Sequence, residues 1–356
     1  MKMPVRILLI LLCAAMVIAL PFTVSSPNML PEVKTELMND DTDEEEIDFG
    51  RLLFSSALAE EADVTEEDDA AEIVETIEAG GELAAHPEWA LPLDFTPGSE
   101  PNADLYSENG YKDDTIRVKL EEQEMEDGTQ IHIAYVQISD PSQLRTGVAK
   151  PEKPSSTKTL TVGTMAKNYH AVIAINGDNY TDKPDKTTFE YRMTKKIRSK
   201  SNKLKDILII DDQGDFHLFV QSKGIKEFPE QLKKEGRKLV NAFTFGPALV
   251  KDGELLELDE HYGYNPGGRE PRAAIGQTGP LSYVMVIVST KDRNGKTGMS
   301  QAKLAEFMYG LGCVQAFNLD GGNSAEMVFG QKTIKGMPDG DERTLSDIIY
   351  FASIQP

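Results

Sequence analysis

Between residues 32 and 82 the chain carries twenty acidic side chains against two basic ones, Lys34 and Arg51, which is −18 of a total formal charge of −22. No core can be packed from such a stretch. Isolated carboxylates are costly to bury, and too few bulky apolar residues are present to offset chain entropy. Whatever the protein folds into must come from the remainder, which is close to neutral. A near-neutral body also excludes a nucleic-acid partner, because a nucleic-acid-binding surface is basic.

Ahead of the acidic stretch, "MKMPVRILLILLCAAMVIALPFTVSS" sets Lys2 and Arg6 before an uncharged run from Ile7 past Val24. That run approaches the ~20 residues that cross a bilayer, and the leading positive charges keep the N-terminus cytoplasmic. "ALPFTVSS" is a poor small-x-small cleavage site. Residues 1–26 are therefore expected to be an uncleaved signal anchor, a transmembrane helix, with a cleaved signal peptide as the alternative. The implied setting is the cell membrane, crossed once, with the C-terminal domain extracytoplasmic. Residues 27–110 are expected to be a largely disordered acidic tether. Within it "FGRLLFSSALAEEA" and "AAEIVETIEAGG" have helical spacing.

From about residue 111 alternating runs separated by glycine turns take over. "DTIRVKLEEQEMEDGTQIHIAYVQISD" reads as a hairpin around Asp127-Gly128, and "DILIIDDQGDFHLFV" as another at Gln213-Gly214. "AVIAI" is a short buried strand, and "RAAIGQTGPLSYVMVIVST" is a pair of strands. "TVGTMAKNYH", "EFPEQLKKEG" and "SQAKLAEFMYGLG" have helical character; Ser300 is placed to cap the last, whose apolar face is Leu304, Phe307, Met308 and Leu311. The fold class is α+β: a strand-rich single domain over 111–356 with two or three helices. Cys13 and Cys313 are the only cysteines, so this domain has no internal disulfide. With no HExxH or CxxC pair, neither a metal nor a cofactor is expected.

Three polar loops fall at strand ends. "NLDGGNSAEMVF" surrounds Gly321 and Gly322 with Asn318, Asp320, Asn323, Ser324 and Glu326, in a turn between two strands. "AINGDNY" ends its strand with Asn176, Gly177, Asp178 and Asn179, and "EPRAAIG" sets Arg272 just before another. Glycine turns at strand ends expose backbone amides that suit an anion, and a guanidinium contacts phosphate in a planar, two-pronged fashion. Each loop also has a plain structural reading: a hairpin turn, or a surface salt bridge for Arg272. Residues 182–206 hold nine bases and four acids, and read as a rim for a polyanionic polymer or as a solvated loop.

"AINGDNY", "FTFGPALV", "PRAAIG", "GMSQAKLAEFMYGLGCVQAFNLDGGNSAEMVF" and "ERTLSDIIYF", in that order, resemble the phosphodiester glycosidase family over residues 110–356. That family includes the lysosomal uncovering enzyme, which removes N-acetylglucosamine from a sugar phosphodiester. The resemblance implies a cell-surface hydrolase acting on a phosphodiester-linked glycan of an envelope or exopolysaccharide polymer. It implies Asp320 as the principal carboxylate, with Asp178 or Glu326 as a second acid. Arg272 and the Gly321 and Gly322 amides would hold phosphate, with Asn176, Gly177, Asn318, Asn323, Ser324 and Arg343 lining the substrate. Arg343 pairs equally well with Glu342 or Asp347. Asp178, Asn323 and Ala325 depart from the family's small residues at their positions. A non-catalytic polysaccharide-binding surface protein is therefore the alternative.

Overall fold

A computed structural model describes residues 83–180, 188–200, 205–263, 265–290 and 296–356. The expected anchor, and the tether up to residue 82 with its two helix-like stretches, lie outside the described residues. Among the described residues, no helix is long and apolar enough to cross a membrane.

Among the described residues, three antiparallel sheets and three α-helices form the domain, α+β and strand-rich as the pattern predicts. The eight-stranded sheet runs in the order Gly110–Lys112, Ile116–Glu124, Gln130–Ile138, Ser282–Ser289, Arg272–Gly279, Gln315–Asn318, Ala248–Lys251, Glu254–Leu255. A five-stranded sheet runs Lys195–Ser199, Phe189–Arg192, Leu239–Phe243, Ile207–Asp211, Phe216–Phe219. The other five-stranded sheet runs Lys332–Lys335, Glu326–Phe329, Ala171–Asn176, Asp347–Ala352, Leu144–Val148. In the last, the strand nearest the C-terminus is slotted between two others. The hairpins at Asp127-Gly128 and Gln213-Gly214 stand as expected, with both glycines at positive φ.

The period-2 alternation decides where each sheet packs. Tyr283, Met285 and Ile287 point into a core shared by all three sheets, where they join Leu208, Ile210, Ile173, Ile175, Ile349 and Phe351. Their neighbours Val284, Val286 and Val288 point the other way, onto Leu304, Ala305 and Met308 of helix α3 (Gln301–Gly310). Helix α1 (Val162–Asn168) covers the outer face of the sheet around Ala174, Ile348 and Tyr350. Helix α2 (Phe228–Lys234) covers Ile207, Ile209 and Ala242. Each sheet thus gives one face to the common core and the other to one helix. Cys313 is buried under α3, and burial pushes its thiol up to about 12, which fits packing and not nucleophilic work.

Two expectations need correction. The folded body begins well before residue 111, because residues 91–106 form a strap held against it. Arg145, wholly buried, reaches that strap with Nη2, which donates to the carbonyls of Pro92, Asp94 and Thr96 at 3.0, 2.7 and 3.0 Å. Ser99 bridges Ser353, and a Cβ on Gly98 would lie 2.5 Å from that of Ala352. The basic stretch 182–206 is not a plain surface loop either. It supplies the sheet strands Phe189–Arg192 and Lys195–Ser199. Glu190, Arg192 and Met193 are buried, while Lys195, Lys196 and Lys200 stay outside. Residues 181–187 and 201–204 of that region lie outside the described residues.

The strap yields a stability prediction. A chain beginning at residue 105 lacks the three carbonyls that receive Arg145 and leaves a buried cation short of acceptors. Relative to a chain beginning at residue 83, it should lose on the order of 3 kcal/mol or more of unfolding free energy in urea titrations. Equal midpoints and slopes would show that the strap contributes nothing.

Candidate functional site

The "NLDGGNS" segment does not close a hairpin. Gln315–Asn318 belongs to the eight-stranded sheet and Glu326–Phe329 to a five-stranded one, so Leu319 to Ala325 cross between sheets. The crossing explains the glycines. A Cβ on Gly321 would sit 2.8 Å from the Pro271 carbonyl oxygen, and Gly322 has φ +60°. The Gly322 amide donates to the same Pro271 carbonyl at 2.9 Å. Gly322–Ser324 then form one 3-10 turn.

Asn176 ties this crossing to the "AINGDNY" loop. Its Nδ2 donates to the Asp320 carbonyl at 2.8 Å, and its Oδ1 accepts the Glu326 amide at 3.1 Å. One fully buried side chain thus fixes the backbone on both sides of the glycine turn. Gly177 follows because Asp347 comes close: a Cβ there would meet the Asp347 carboxylate at 2.2 Å, and its amide donates to the Asp347 carbonyl at 3.0 Å. Asn176 and Gly177 thus make framework contacts in this structure.

Beneath the loop lies a charged cluster with no solvent exposure at its ionic side chains. Arg192 Nη2 and Nε donate to Asp347 Oδ2 at 2.7 and 2.9 Å. Nη2 also lies 3.2 Å from Glu190 and 3.9 Å from Asp178. The guanidinium stacks on Phe243, 3.9 Å from the ring centre. Burial alone would lower its pKa; Asp347, Glu190 and Asp178 outweigh that and raise it. Asp347 also accepts the amides of Asp178 and Asn179 at 3.3 and 3.1 Å and the Ser346 hydroxyl at 2.6 Å. Asp178 in turn accepts the amides of Thr244 and Phe245, from "FTFGPALV". Placed inward on backbone amides, Asp178 does not line an open site as a second acid. Asp347, Glu190 and Arg192 were not foreseen as site residues. Arg192 stood in a basic run, and nothing local shows that it turns inward.

Arg272 also differs from expectation. It is buried, with Nε on the Met299 carbonyl at 2.9 Å and Nη2 on those of Asn265 and Gly268 at 2.7 and 3.0 Å. Burial lowers its pKa to about 10, with Glu270 opposing the shift. Nε and Nη2 of Arg272 thus hold backbone carbonyls beside the strand that begins next to Pro271. Asn318 is framework as well: its Nδ2 donates to the Gly246 carbonyl at 2.7 Å.

The exposed part of the site is small. Asp320, Gly321 and Gly322 are half-buried, Asn323 is exposed, and Arg343 is exposed with Nη1 donating to Ser324 Oγ at 2.9 Å. Of the two acids expected beside Arg343, Asp347 is held by Arg192. Glu326 is 3 % exposed, and its carboxyl is pushed up to about 7, first by burial and then by the neighbouring Glu342, with Lys335 opposing. One half-buried carboxyl and one held neutral up to about pH 7 flank a glycine turn with a cation at its rim. That combination suits acid-assisted cleavage of an anionic ester. Among the described residues no cluster of His, Cys, Asp and Glu is arranged to hold a metal ion.

Replacing Arg192 by Met removes the cation and leaves three buried carboxylates facing one another. The variant should lose on the order of 3–5 kcal/mol in chemical denaturation, or fail to accumulate as folded protein. A loss under about 1 kcal/mol would mean that the cluster is not what holds the loop.

The five segments met here are the ones that carry the family resemblance, and comparison with known proteins agrees. The phosphodiester glycosidase family model matches residues 169–352. The SPbeta prophage-derived uncharacterized protein YomE of Bacillus subtilis (strain 168) is 25% identical over 201 residues, 55% of this chain and 30% of that protein. The chain thus spans under a third of the length of that curated relative. The catalytic domain of zebrafish N-acetylglucosamine-1-phosphodiester alpha-N-acetylglucosaminidase, solved auto-inhibited by its pro-peptide, matches with a TM-score of 0.50. Identity there is 16%, over 72% of this chain and 87% of that one, a likeness of fold. With a family match over more than half its length, this chain belongs to the phosphodiester glycosidase family.

Proposed function

We propose that the chain is a hydrolase that frees a sugar of the N-acetylglucosamine kind from a sugar 1-phosphodiester in an envelope or exopolysaccharide polymer. Family membership supports a phosphodiester glycosidase-type hydrolase; the sugar and the polymer are this proposal's own. The observation that carries it to particular residues is the grip of Asn176 on the Asp320 carbonyl and the Glu326 amide, which fixes the backbone bearing these two acids on either side of the glycine turn.

In this reading the bond between the anomeric carbon and the phosphate oxygen breaks, and its electron pair leaves with the phosphate. Asp320 stabilises the oxocarbenium charge or takes the proton of the attacking water. Glu326 gives its proton to the departing oxygen, which a carboxyl neutral up to about pH 7 can do. Arg343, on Ser324 at the rim of the turn, supplies positive charge for the phosphate, while Nε and Nη2 of Arg272 hold backbone carbonyls. Asp178 does not narrow the site, because its carboxylate points into the interior. An extracytoplasmic location, with residues 1–26 anchoring the chain in a membrane, belongs to the same proposal.

The test is release of reducing N-acetylglucosamine from an N-acetylglucosamine-1-phosphodiester. Asp320→Asn should lower turnover by a factor of about 100 or more, with KM and melting temperature nearly unchanged. Full activity in a folded Asp320→Asn protein would remove Asp320 from the mechanism. Because Glu326 must carry its proton to act, activity should fall as pH rises through about 7. A wild-type protein that binds envelope polymer yet releases no sugar from any phosphodiester would favour the binding-protein alternative.

A further inference from the structure

The strand Lys195–Ser199 is the outermost of its five-stranded sheet, paired on one side only, with Phe189–Arg192. From Thr194 to Lys205 the sequence holds six bases and no acid. Lys195, Lys196 and Lys200 are exposed, and among the described residues no carboxylate lies at ion-pairing distance from any of the three. Arg198 is half-buried and turns to Thr188 and the Tyr180 ring. Lysines on an edge strand discourage another sheet from adding there, and that role needs no acidic partner.

Two observations nevertheless point to a partner within this chain. One is where the strap runs. Thr194, the residue before the strand, donates from Oγ1 to the Leu93 carbonyl at 3.3 Å. Arg145 fixes the strap on either side of Leu93, through the carbonyls of Pro92 and Asp94. The other is charge. Residues 60–82 end eleven residues before Leu93 and hold eleven acids without a Lys or Arg. A link of eleven residues reaches at most about 40 Å, against roughly 17 Å for a five-residue strand. The strap therefore ties a strongly acidic segment within reach of a basic sheet edge. Tethering of this kind gives an effective concentration on the order of millimolar, so a weak attraction is enough.

We propose that residues 60–82 dock on the edge strand Lys195–Ser199, with their carboxylates on Lys195, Lys196 and Lys200. The attraction is between exposed charges of opposite sign. It uses none of the apolar surface that the acidic segment lacks, and salt releases it. The docking is independent of the hydrolase reading.

Carbodiimide coupling of the full chain in detergent at low ionic strength tests this, because the reagent joins only carboxylates and amines that meet. Peptide mass spectrometry should find residues 60–82 joined to Lys195, Lys196 or Lys200 in clear excess over Lys233 and Lys303, which are also exposed. Those links should disappear at 1 M salt, where the screening length is about 3 Å. The second readout is lysine reactivity. An ammonium held by carboxylates keeps its proton and acylates slowly. A full-length variant with all eleven acids replaced by their amides should therefore acetylate at Lys195, Lys196 and Lys200 about 3-fold faster than wild type, the ratio for a segment docked two-thirds of the time. Lys233 and Lys303 should not change, and an equal melting temperature shows the domain intact. Links spread evenly over the exposed lysines overturn the proposal, and so does unchanged reactivity in the amide variant; either leaves the lysines as guards of a sheet edge. Links that join light to heavy chains in an isotopically mixed sample give the face to a second copy and overturn it as well.

Discussion

Arg192 places one guanidinium among three carboxylates, all without solvent exposure, and the loops of the site are hung on that arrangement. Charges cannot be left unpaired in so dry a place, so the geometry around Arg192 admits little slack. Asp347 must stay on the guanidinium, and while it does so it also receives the amides of Asp178 and Asn179. Asp178, drawn toward the same cation, receives the amides of Thr244 and Phe245. From one electrostatic requirement the "AINGDNY", "FTFGPALV" and "ERTLSDIIYF" segments are brought to a common point. Asn176 then extends the order one residue outward to the glycine crossing.

The motif residues divide accordingly. Asn176, Gly177, Asp178, Arg272 and Asn318 make contacts to backbone or to buried charge, Gly321 is there because Pro271 lies against it, and Gly322 because its φ is +60°. The residues to which the proposed function gives the chemistry, Asp320, Arg343 and Glu326, stand apart from that framework. In the proposed function the groups that fix the loops are not the ones that act on the substrate. Preorganisation of that kind is what stabilising charge in a transition state requires.

Much of the fold was legible in the chain. Alternation in Ser282–Ser289 and glycines at Gly128 and Gly214 announce strands and hairpins, and Ser300 with the spacing of Leu304 and Met308 announces α3. What escaped was polar and interior. Leu144–Val148 contains Arg145 and Thr146 yet is buried throughout, because Tyr350, the strap carbonyls and Asn241 receive those side chains. Phe189–Arg192 hides for the same reason. Periodicity reports which side chains avoid water and is silent about a buried charge whose partner lies far along the sequence. The candidate site was legible as a set of motifs, with Asp320 and Glu326 as the acids proposed for it, but which motif residues make the framework contacts was not. Arg272 and Arg343 look alike in sequence; only the carbonyls of Asn265, Gly268 and Met299 distinguish them.

The placement of Asp347–Ala352 between Ala171–Asn176 and Leu144–Val148 has a consequence in time. Synthesis delivers this strand after every other strand of the domain, yet it is interior to its sheet, so until it arrives two strands face an empty lane. Arg192, Glu190 and Asp178 meanwhile lack the carboxylate of Asp347 and stay hydrated. Pairing across nearly two hundred residues of chain makes closure a late event with a large loop-entropy cost, as contact order implies. The domain is therefore committed to fold as a whole. The same step that completes the sheet also dries the charge cluster and sets the loop, so a partly folded chain holds no partly formed site.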